Sequence, residues 1–252
     1  MSVLMIACLL FAFGSLGGWV LELFYRRIFS SKKWINPGFL VGPCLPLYGF
    51  GITILFMLSY SLKFDEWFNI PSYVNVIITI LIMGIMMTVI EFIAGEIFIL
   101  GMGIKLWDYS NRWGNIKGII CPLFSLIWTL VAVGFYFLIR PVCENLIMWY
   151  QNNAYTNIWL PFGLGMFYGV LFVDLCYSFK VTKRIKEFAK ENKLIIKLEQ
   201  FKQDIRDYQE KAKEKIHFIF PLKTAKGIKD ALIRYKDKIL NIINKKDDED
   251  DK

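Results

Sequence analysis

The sequence predicts an all-α, polytopic membrane protein with five transmembrane helices and a C-terminal helical tail. Its 252 residues are 56% hydrophobic and 17% aromatic, which is too apolar for an ordinary soluble domain. The apolar residues lie in runs before about residue 180, and each run is long enough for the roughly 20-residue helix that crosses a bilayer. Beyond that point the composition changes abruptly to Lys, Glu, Asp and Ile. We therefore expect a transmembrane domain over residues 1–180, a helical tail over 181–246 and an acidic, disordered end over 247–252.

The five predicted spans are joined by short connections. The first apolar run has no basic segment before it and no small-residue cleavage site after it, so we expect a retained helix and not a signal peptide. The third run is longer than a span needs, and we expect it to tilt, kink or extend beyond the hydrocarbon. The predicted spans are residues 3–24, 41–62, 72–100, 118–139 and 157–179.

Basic residues predict the orientation of the bundle. They are concentrated after the first, third and fifth spans, whereas the other two connections carry little positive charge. The positive-inside rule then places the N-terminus outside and the tail in the cytoplasm. The residues that decide this orientation are Arg26, Arg27, Lys32, Lys33, Lys105, Arg112, Lys117, Lys180, Lys183, Arg184 and Lys186.

A weaker copy of the stretch from Lys33 to Gly49 occurs 79 residues later. In both copies a basic and aromatic turn with an Asn leads through a Pro into an apolar run. This pattern predicts two parallel helix-loop-helix repeats, formed by spans one and two and by spans three and four. Duplicated bundles commonly place a functional site where the repeats meet. The matching pairs are Trp34 with Trp113, Asn36 with Asn115 and Pro43 with Pro122.

The first copy contains too much Gly and Pro for one regular helix. One interpretation is an irregular or re-entrant start of the second span, which is tolerated at membrane depth only where protein buries it or where it lines water. The other is a tight cytosolic turn followed by a Pro at the first position of the helix. The sequence leaves both open. The residues concerned are Pro37, Gly38, Gly42, Pro43, Pro46, Gly49 and Gly51.

Four carboxylates end or interrupt the apolar runs and are the candidate site residues: Glu22, Glu91, Glu96 and Asp174. A carboxylate within hydrocarbon costs about 2.5–3.5 kcal/mol on insertion scales, so it usually faces a partner, water or another polar group. A functional role would be to bind a cation, a proton or the charged head of a substrate. In the structural interpretation the acids pair with basic residues of the loops. Those bases are Arg26, Arg27, Lys105 and Arg112.

Several loop residues have structural interpretations of their own. The tryptophans near the predicted cytoplasmic interface are typical of interfacial anchors. The two Asn residues stand beside Gly or Pro turns, where an Asn side chain can bond its own backbone and cap the following helix. The segment 105–110, with Asp108, offers a charged and aromatic surface for a partner. The tryptophans are Trp34, Trp107 and Trp113, and the Asn residues are Asn36 and Asn115.

The tail reads as two amphipathic helices separated by Pro221, which should break the helix. Their apolar seams are typical of helix pairing, either as an antiparallel hairpin or as a dimer seam. Alternatively, the basic, amphipathic tail lies against an anionic leaflet; the acidic residues among the lysines favour pairing. Nucleic-acid binding is not expected, because no fold motif accompanies the charge. The seams are Leu194, Leu198, Phe201, Ile205, Tyr208 and Ala212, and Ile228, Leu232, Tyr235, Ile239 and Ile242.

Neither a catalytic nor a metal site is expected, and no cofactor is predicted. The five cysteines lie far apart without paired spacing, and the single His217 has no Cys or acidic cluster in ligand spacing. Nothing resembles a nucleophile elbow or a Gly-rich phosphate loop. Intramembrane catalysis by two carboxylates alone would leave the reaction undefined.

Four stretches resemble a known family, the ABC-transporter type IV (CmpB-like) permease family of bacterial membrane proteins. They run over residues 18–22, 36–49, 107–110 and 115–121, and the similarity covers roughly residues 10–140. The string Gly-Phe-Leu-x-Gly-Pro-x-x-Pro-x-Tyr-Gly is unusual, and it contains Gly38, Gly42, Pro43, Pro46 and Tyr48. The resemblance implies a membrane subunit of a transporter in the bacterial plasma membrane, and it names no substrate.

We therefore expect a permease-like membrane subunit and not an enzyme. The sequence lacks GxxxxGK[ST], so any ATP coupling requires a separate ATPase, which would dock on the loops 25–40 and 101–117 or on the tail. Five spans with short loops give little docking surface, which favours a homo-oligomer. The alternative is a membrane-anchored interaction or regulatory protein that binds partners through its tail. Deletion of residues 190–252 would separate these two hypotheses.

Overall fold

Five helical segments in the computed structural model are long and apolar enough to cross a membrane, which confirms the predicted number of spans. The structure describes residues 2–29, 32–153, 158–192, 195–211 and 225–250. Within these ranges the chain is helical apart from the loops and one short pair of strands, so the predicted all-α class is confirmed. The spanning segments are Val3–Phe29, Pro46–Phe68, Ser72–Met102, Pro122–Asn153 and Trp159–Glu191.

The helices follow one another along the chain in the predicted order. A π-helical turn, Phe135–Ile139, joins the fourth span's two halves without a break. The strands β1 (Ile104–Lys105) and β2 (Ile196–Lys197) pair in parallel, an element that the sequence did not predict. The helices are α1 (Ser2–Phe29), α2 (Pro46–Ser61), α3 (Phe64–Phe68), α4 (Ser72–Met102), α5 (Pro122–Gly134), α6 (Arg140–Asn153), α7 (Trp159–Glu191), α8 (Leu198–Lys211) and α9 (Ala225–Asp250).

Several element boundaries differ from the predicted ones. The fourth span continues past residue 139 to Asn153, since α6 follows the π-helical turn directly, and the charges at Arg140 and Glu144 are accommodated as an i,i+4 ion pair of 2.8 Å. Helix α7 continues through the predicted boundary at 180, since its last turns are buried against the tail. Helix α9 reaches Asp250, so the acidic end begins as helix where disorder was predicted. Pro221, His217 and the seam residues Leu194 and Ala212 lie outside the described residues.

Glycines bring the backbones of α1 and α2 together. Gly14 and Gly18 lie four residues apart on α1, and a Cβ on Gly14 would stand 3.2 Å from the Gly49 Cα. A side chain at Gly18 would overlap the Cβ and ring of Tyr48. Small residues at this spacing let membrane helices approach closely. The core of the bundle lies between this pair and the pair α4 and α5, and its members include Ile6, Leu55, Phe56, Met83, Met87, Ala132 and Phe135.

The two prolines that the predicted internal repeat aligns do not occupy equivalent positions in their helices. Pro46 is the first residue of α2 and Pro122 the first residue of α5. The sequence comparison instead paired Pro122 with Pro43, which lies in the loop before α2. The helix pairs α1–α2 and α4–α5 are present, but the repeat itself stays a prediction.

Helices α8 and α9 pack against each other and against the end of α7. The Phe201 and Tyr235 rings meet edge to face with centroids 5.6 Å apart. Most of the predicted seam is buried here within one chain, together with Ile104 of β1. The buried residues of this cluster are Ile104, Val181, Ile185, Ala189, Ile196, Leu198, Phe201, Ile205, Ile228, Ala231, Leu232 and Tyr235.

Candidate functional site

All four predicted carboxylates lie at one end of the bundle, which we call the loop-rich end. It is formed by the irregular segment 32–45, the loop 103–121 and helix α8. Glu91, Glu96 and Asp174 contact these loops directly, whereas Glu22 bonds to Arg26, which in turn pairs with Glu199 of α8. The structure thus gathers the candidate residues at one end, although only two of them share a hydrogen-bonded cluster.

Asn36 organises segment 32–45. Its Nδ2 donates to the carbonyl oxygens of Leu40 and Val41 at 3.0 Å each, and its Oδ1 accepts a 2.6 Å hydrogen bond from the Trp19 indole. Asn36 and Leu40 are almost fully buried, so this loop packs inward. The predicted bonding of Asn36 to its own backbone is therefore present. The predicted cap is not, because the N-cap residue of α2 is Leu45 and its side chain forms no cap hydrogen bond.

The observed structure of this segment agrees in part with each of the two sequence interpretations. Residues 32–45 form neither helix nor strand, as an irregular start of the span requires. Gly38 has φ +72°, a conformation that favours glycine. Pro46 nevertheless occupies the first turn of α2, as the tight-turn interpretation requires.

Asp174 of α7 fixes the second half of this segment. Its Oδ1 accepts a hydrogen bond from the backbone N–H of Val41 at 3.0 Å, and its Oδ2 accepts one from Gly42 at 2.8 Å. Ser178 also donates to Oδ1 at 3.2 Å. A Cβ on Gly42 would stand 2.8 Å from Oδ2, so glycine permits this approach. No Lys or Arg pairs with Asp174 in the described part of the chain, so the structural interpretation, in which loop bases pair with this acid, is not what the structure shows.

Glu22 and Glu91 are linked by side chains of the two helix pairs. Glu22 accepts from Arg26 Nε at 2.8 Å, the predicted structural pairing, and from the Tyr48 hydroxyl at 3.0 Å. The Tyr48 ring lies 6.1 Å from that of Trp128, whose indole donates to Glu91 at 3.0 Å. Tyr48 and Trp128 thereby connect the two carboxylates. We call the five residues Glu22, Tyr48, Glu91, Tyr109 and Trp128 the carboxylate cluster.

Glu91 is the most enclosed acid of the cluster, with 4% of its surface exposed. Its second oxygen accepts a 3.0 Å hydrogen bond from the Tyr109 hydroxyl, and the Tyr109 ring stacks on Phe124 at 4.3 Å. Both donors to Glu91 are neutral, and within the described ranges no Lys or Arg comes within ion-pair distance. The arrangement can therefore hold a negative charge that a proton, a cation or a substrate ammonium would neutralise.

Glu96 stands apart from the cluster. It forms a 3.1 Å ion pair with Lys117, whose side chain is 62% exposed. The pairing is of the predicted structural kind, although Lys117 was not among the bases named for it. An exposed pair of this kind contributes little to stability.

The loop 103–121 is held by its own polar side chains. Asn115 donates to the carbonyls of Ser110 and Arg112 at 3.1 and 2.8 Å, and accepts from the Gly118 N–H at 3.0 Å. It bonds loop backbone as predicted, but Cys121 is the N-cap of α5. The loop's tip therefore presents Trp113, which is 88% exposed.

The other two tryptophans of the predicted interface are more enclosed. Trp107 donates to the Ile119 carbonyl at 2.8 Å. Trp34 lies under the Arg27 guanidinium at 5.8 Å and meets the Phe24 ring edge on. The structure thus gives both a protein contact, and their interfacial role stays a prediction.

Asp108 connects the loop to the strand pair before α8. It accepts from the Lys105 amine at 2.6 Å and the Lys197 amine at 2.7 Å. Although burial raises the pKa of Asp108, the hydrogen bonds from Lys105, Lys197 and Ser110 lower it below the ordinary value. The carboxylate therefore stays ionised and holds the loop to β2.

Sequence patterns assigned no functional role to Lys202, which the structure places at the centre of the loop-rich end. Lys202 is 6% exposed, and its amine donates to the carbonyls of Asn36 at 2.9 Å and Gly38 at 2.7 Å. The one signal was its place directly after the seam residue Phe201, on the apolar side of α8. Tyr109 and Trp128 were also missed, because aromatic residues are frequent throughout the spans.

Within the described residues no group of three or more His, Cys, Asp or Glu side chains has the arrangement of a metal site. No curated protein and no solved structure shows significant similarity to this chain. One family model does match, over residues 9–179. The match begins where the resemblance in the sequence begins, extends beyond residue 140 through most of α7, and ends before the tail. The chain therefore belongs to the family described as "Putative ABC-transporter type IV".

Proposed function

We propose that this chain is the membrane-embedded, permease-like subunit of an ABC transporter and that it acts with a separate ATPase. Membership of the family and five helices that can cross a membrane support this function. The observation that carries it is Glu91, a carboxylate with 4% exposure at the loop-rich end of an apolar bundle, held by two neutral donors. A purely structural bundle gains nothing from such a charge, whereas a pathway for a charged solute does.

The loop-rich end is the proposed docking side for the ATPase. The chain contains no P-loop of its own, and the positive-inside rule orients this end toward the cytoplasm of a bacterial cell. There the loop 103–121 presents Trp113 and Arg112 on a backbone held by Asn115. An exposed tryptophan on an ordered loop is a common anchor in protein interfaces.

The carboxylate cluster is the proposed binding site for the transported solute or a coupling ion. Its two acids are Glu22 and Glu91, and the neighbouring base Arg26 is shared between Glu22 and Glu199, so the site is acidic overall. A monovalent cation, a proton or a solute with an ammonium group would offset this negative charge. These occupants share a positive charge, and the flux experiment below separates them by which ion crosses.

The proposal is tested first by purifying the full chain from its native host in mild detergent. Mass spectrometry identifies what is recovered in stoichiometric amount, and a P-loop ATPase is the expected result. Recovery of a homo-oligomer alone would contradict the ABC assignment and favour an ion-coupled carrier. A soluble partner without a P-loop would favour the interaction or regulatory protein.

The second step measures flux of radiolabelled cations and amines in proteoliposomes with the recovered complex. Glu91→Gln should abolish flux while the ATPase still co-purifies, because the negative charge is lost and the bundle remains. Glu144→Gln is the matched control, since Glu144 lies on the surface of α6 with a 42% exposed side chain. Unchanged flux in a folded Glu91→Gln protein would rule out the cluster as the site.

A further inference from the structure

One face of α8 is bound to segment 32–45 and to the end of α1. Glu199 pairs with Arg26 at 3.2 Å, and Asp207 pairs with Lys33 at 2.6 Å. Between them, Lys202 and Arg206 both donate to backbone carbonyls of the segment. Glu199, Lys202 and Arg206 recur at helical spacing and Asp207 follows directly, so the contacts lie along one side of α8. The apolar face of the same helix packs against α7 and α9.

The carbonyl oxygens that accept from α8 belong to alternate residues of an irregular backbone. Trp34 accepts from Arg206, whereas Asn36 and Gly38 both accept from the Lys202 amine, at 2.9 and 2.7 Å. An amine offers several N–H donors, and two carbonyls that converge on one nitrogen form a specific acceptor pair. The pair is enclosed, because Lys202 is 6% and Asn36 2% exposed.

Burying the Lys202 amine beside these carbonyls is unfavourable for its charged form. Burial lowers the pKa of Lys202, the nearby Arg26 lowers it further and Glu199 opposes this, with a result of about 7. A lysine beside a seam would ordinarily extend toward water, since burying an amine is unfavourable unless its donors are satisfied. The two carbonyls accept from two of its N–H donors.

Asn36 joins this amine site to the rest of the segment. Its carbonyl accepts from Lys202, while its side chain donates to Leu40 and Val41. The next backbone amides, Val41 and Gly42, are those that Asp174 binds. A displacement of the Asn36 and Gly38 carbonyls would therefore also move the backbone amides that Asp174 binds, because only a short stretch of chain separates them.

We propose that the carbonyl oxygens of Asn36 and Gly38 form a binding site for a primary amine, that Lys202 is its built-in ligand, and that occupation of this site keeps segment 32–45 closed on Asp174. The chemical class that fits is a primary alkylamine, charged or neutral, because the site offers two acceptors to N–H donors. This inference concerns α8 and the segment alone and does not depend on which ATPase or solute the protein uses.

Cys44 is a native probe for closure of the segment. It lies two residues after Gly42 and is 7% exposed, so a maleimide reaches it only when the segment opens. Cys143, which is 1% exposed in the core of the bundle, serves as the internal reference. Mass spectrometry of the labelled full-length protein in detergent reports both thiols separately.

The test compares wild type with Lys202→Ala at one pH. We expect the labelling rate of Cys44 to rise by about tenfold or more in Lys202→Ala, since two hydrogen bonds to an amine are lost, with Cys143 unchanged. Ethylammonium chloride should restore slow labelling, whereas tetramethylammonium, which has no N–H, should not. Lys229→Ala, an exposed lysine on α9, is the control for charge removal and should label like wild type.

Two further results bear on the proposal. Lys202→Met keeps the apolar stem without a donor and should label fast with no rescue by ethylammonium, because the stem fills the space. An unchanged Cys44 rate in either Lys202 variant would overturn the proposal. Equal effects of ethylammonium and tetramethylammonium, or no effect of either, would also overturn it, since the site would then not recognise an amine. Lys202→Met keeps the test decisive if Lys202→Ala does not fold.

Discussion

The carboxylate of Asp174 lies 2.8 Å from the backbone N–H of Gly42, although 132 residues separate the two in the sequence. With the Val41 amide at 3.0 Å, this contact ties the fifth span to the start of the second. A carboxylate that accepts two backbone amides needs no basic partner, since its charge is stabilised by hydrogen bonds. Asp174 therefore fixes the loop in place of a lysine or arginine.

Replacing Asp174 with Asn should destabilise the protein. The amide keeps one acceptor but turns an NH2 group toward a backbone N–H, which leaves a donor unsatisfied at a cost of about 1–3 kcal/mol. Thermal unfolding in detergent measures the change. Ser178→Ala removes one neutral hydrogen bond to the same carboxylate and should cost less. Equal stability of Asp174→Asn and wild type would show that the two backbone contacts contribute nothing.

Tyr109→Phe should destabilise the bundle by about 1.5–3 kcal/mol, the usual range for a hydrogen bond to a charged group. The substitution removes the hydroxyl that Glu91 accepts and leaves the ring stacked on Phe124. Tyr177→Phe, at a site on α7 that is 45% exposed, is the control. Unfolding curves that coincide for the two variants would refute a stabilising role of the Tyr109 contact.

Gly49→Ala should separate α1 from α2. Its Cβ would lie 2.7 Å from the carbonyl oxygen of Phe11 and would also overlap the Ser15 hydroxyl, so one backbone must move. Overpacking of this kind costs about 1–3 kcal/mol. Gly17→Ala has open space around its Cβ and should be neutral or stabilising, because alanine favours helix. Equal melting temperatures for the two variants would contradict close packing at Gly49.

The stability of the protein should rise with pH through the titration of Lys202. Burial, and then Arg26, lower the pKa of Lys202 from 10.5 to about 7, while Glu199 opposes them. Between these two values the unfolded chain binds the proton and the folded chain does not, so the free energy of unfolding increases by about 1.4 kcal/mol per pH unit. Below about pH 7 the Lys202 amine is protonated in both the folded and the unfolded chain, so its titration no longer changes the free energy of unfolding. Lys202→Met should lack this increase, and parallel pH profiles for variant and wild type would refute the assignment.

Composition and local patterns predicted what depends on neighbours in the sequence. The five spans follow from apolar runs, and the bonding of Asn36 to its own loop follows because its partners are four and five residues away. The partners of Glu91 lie 18 and 37 residues away, on another loop and another helix. Nothing in a single sequence says which of many aromatic residues will reach a given acid, so those contacts required the fold.

The same limit explains the missed lysine and the misplaced helix ends. Lys202 binds carbonyls 166 and 164 residues before it, and a charge beside an apolar seam reads as a solvent-facing residue. A prediction from hydropathy ends a span where the apolar run ends. Helix α7 continues further, because Val181, Ile185 and Ala189 pack on β1 and the tail. A role of Glu91 in binding a solute stays a prediction, which the flux experiment tests.

The π-helical turn at Phe135–Ile139 sets the rotational phase of everything after it in the fourth span. Each residue of a regular α-helix turns the next side chain by about 100°, and a π-turn accommodates one residue more. Upstream, Ala132 and Phe135 point into the core, and downstream Cys143 and Ile147 do so again, while Ile139 between them is 41% exposed. Winding the same residues as a regular α-helix would turn Cys143 and Ile147 away from the core by about 100°, whereas removing one residue from the turn would restore a regular helix and keep both facing the core. The second half of this span is therefore in register with the core only because the turn contains one residue more than an α-helical turn.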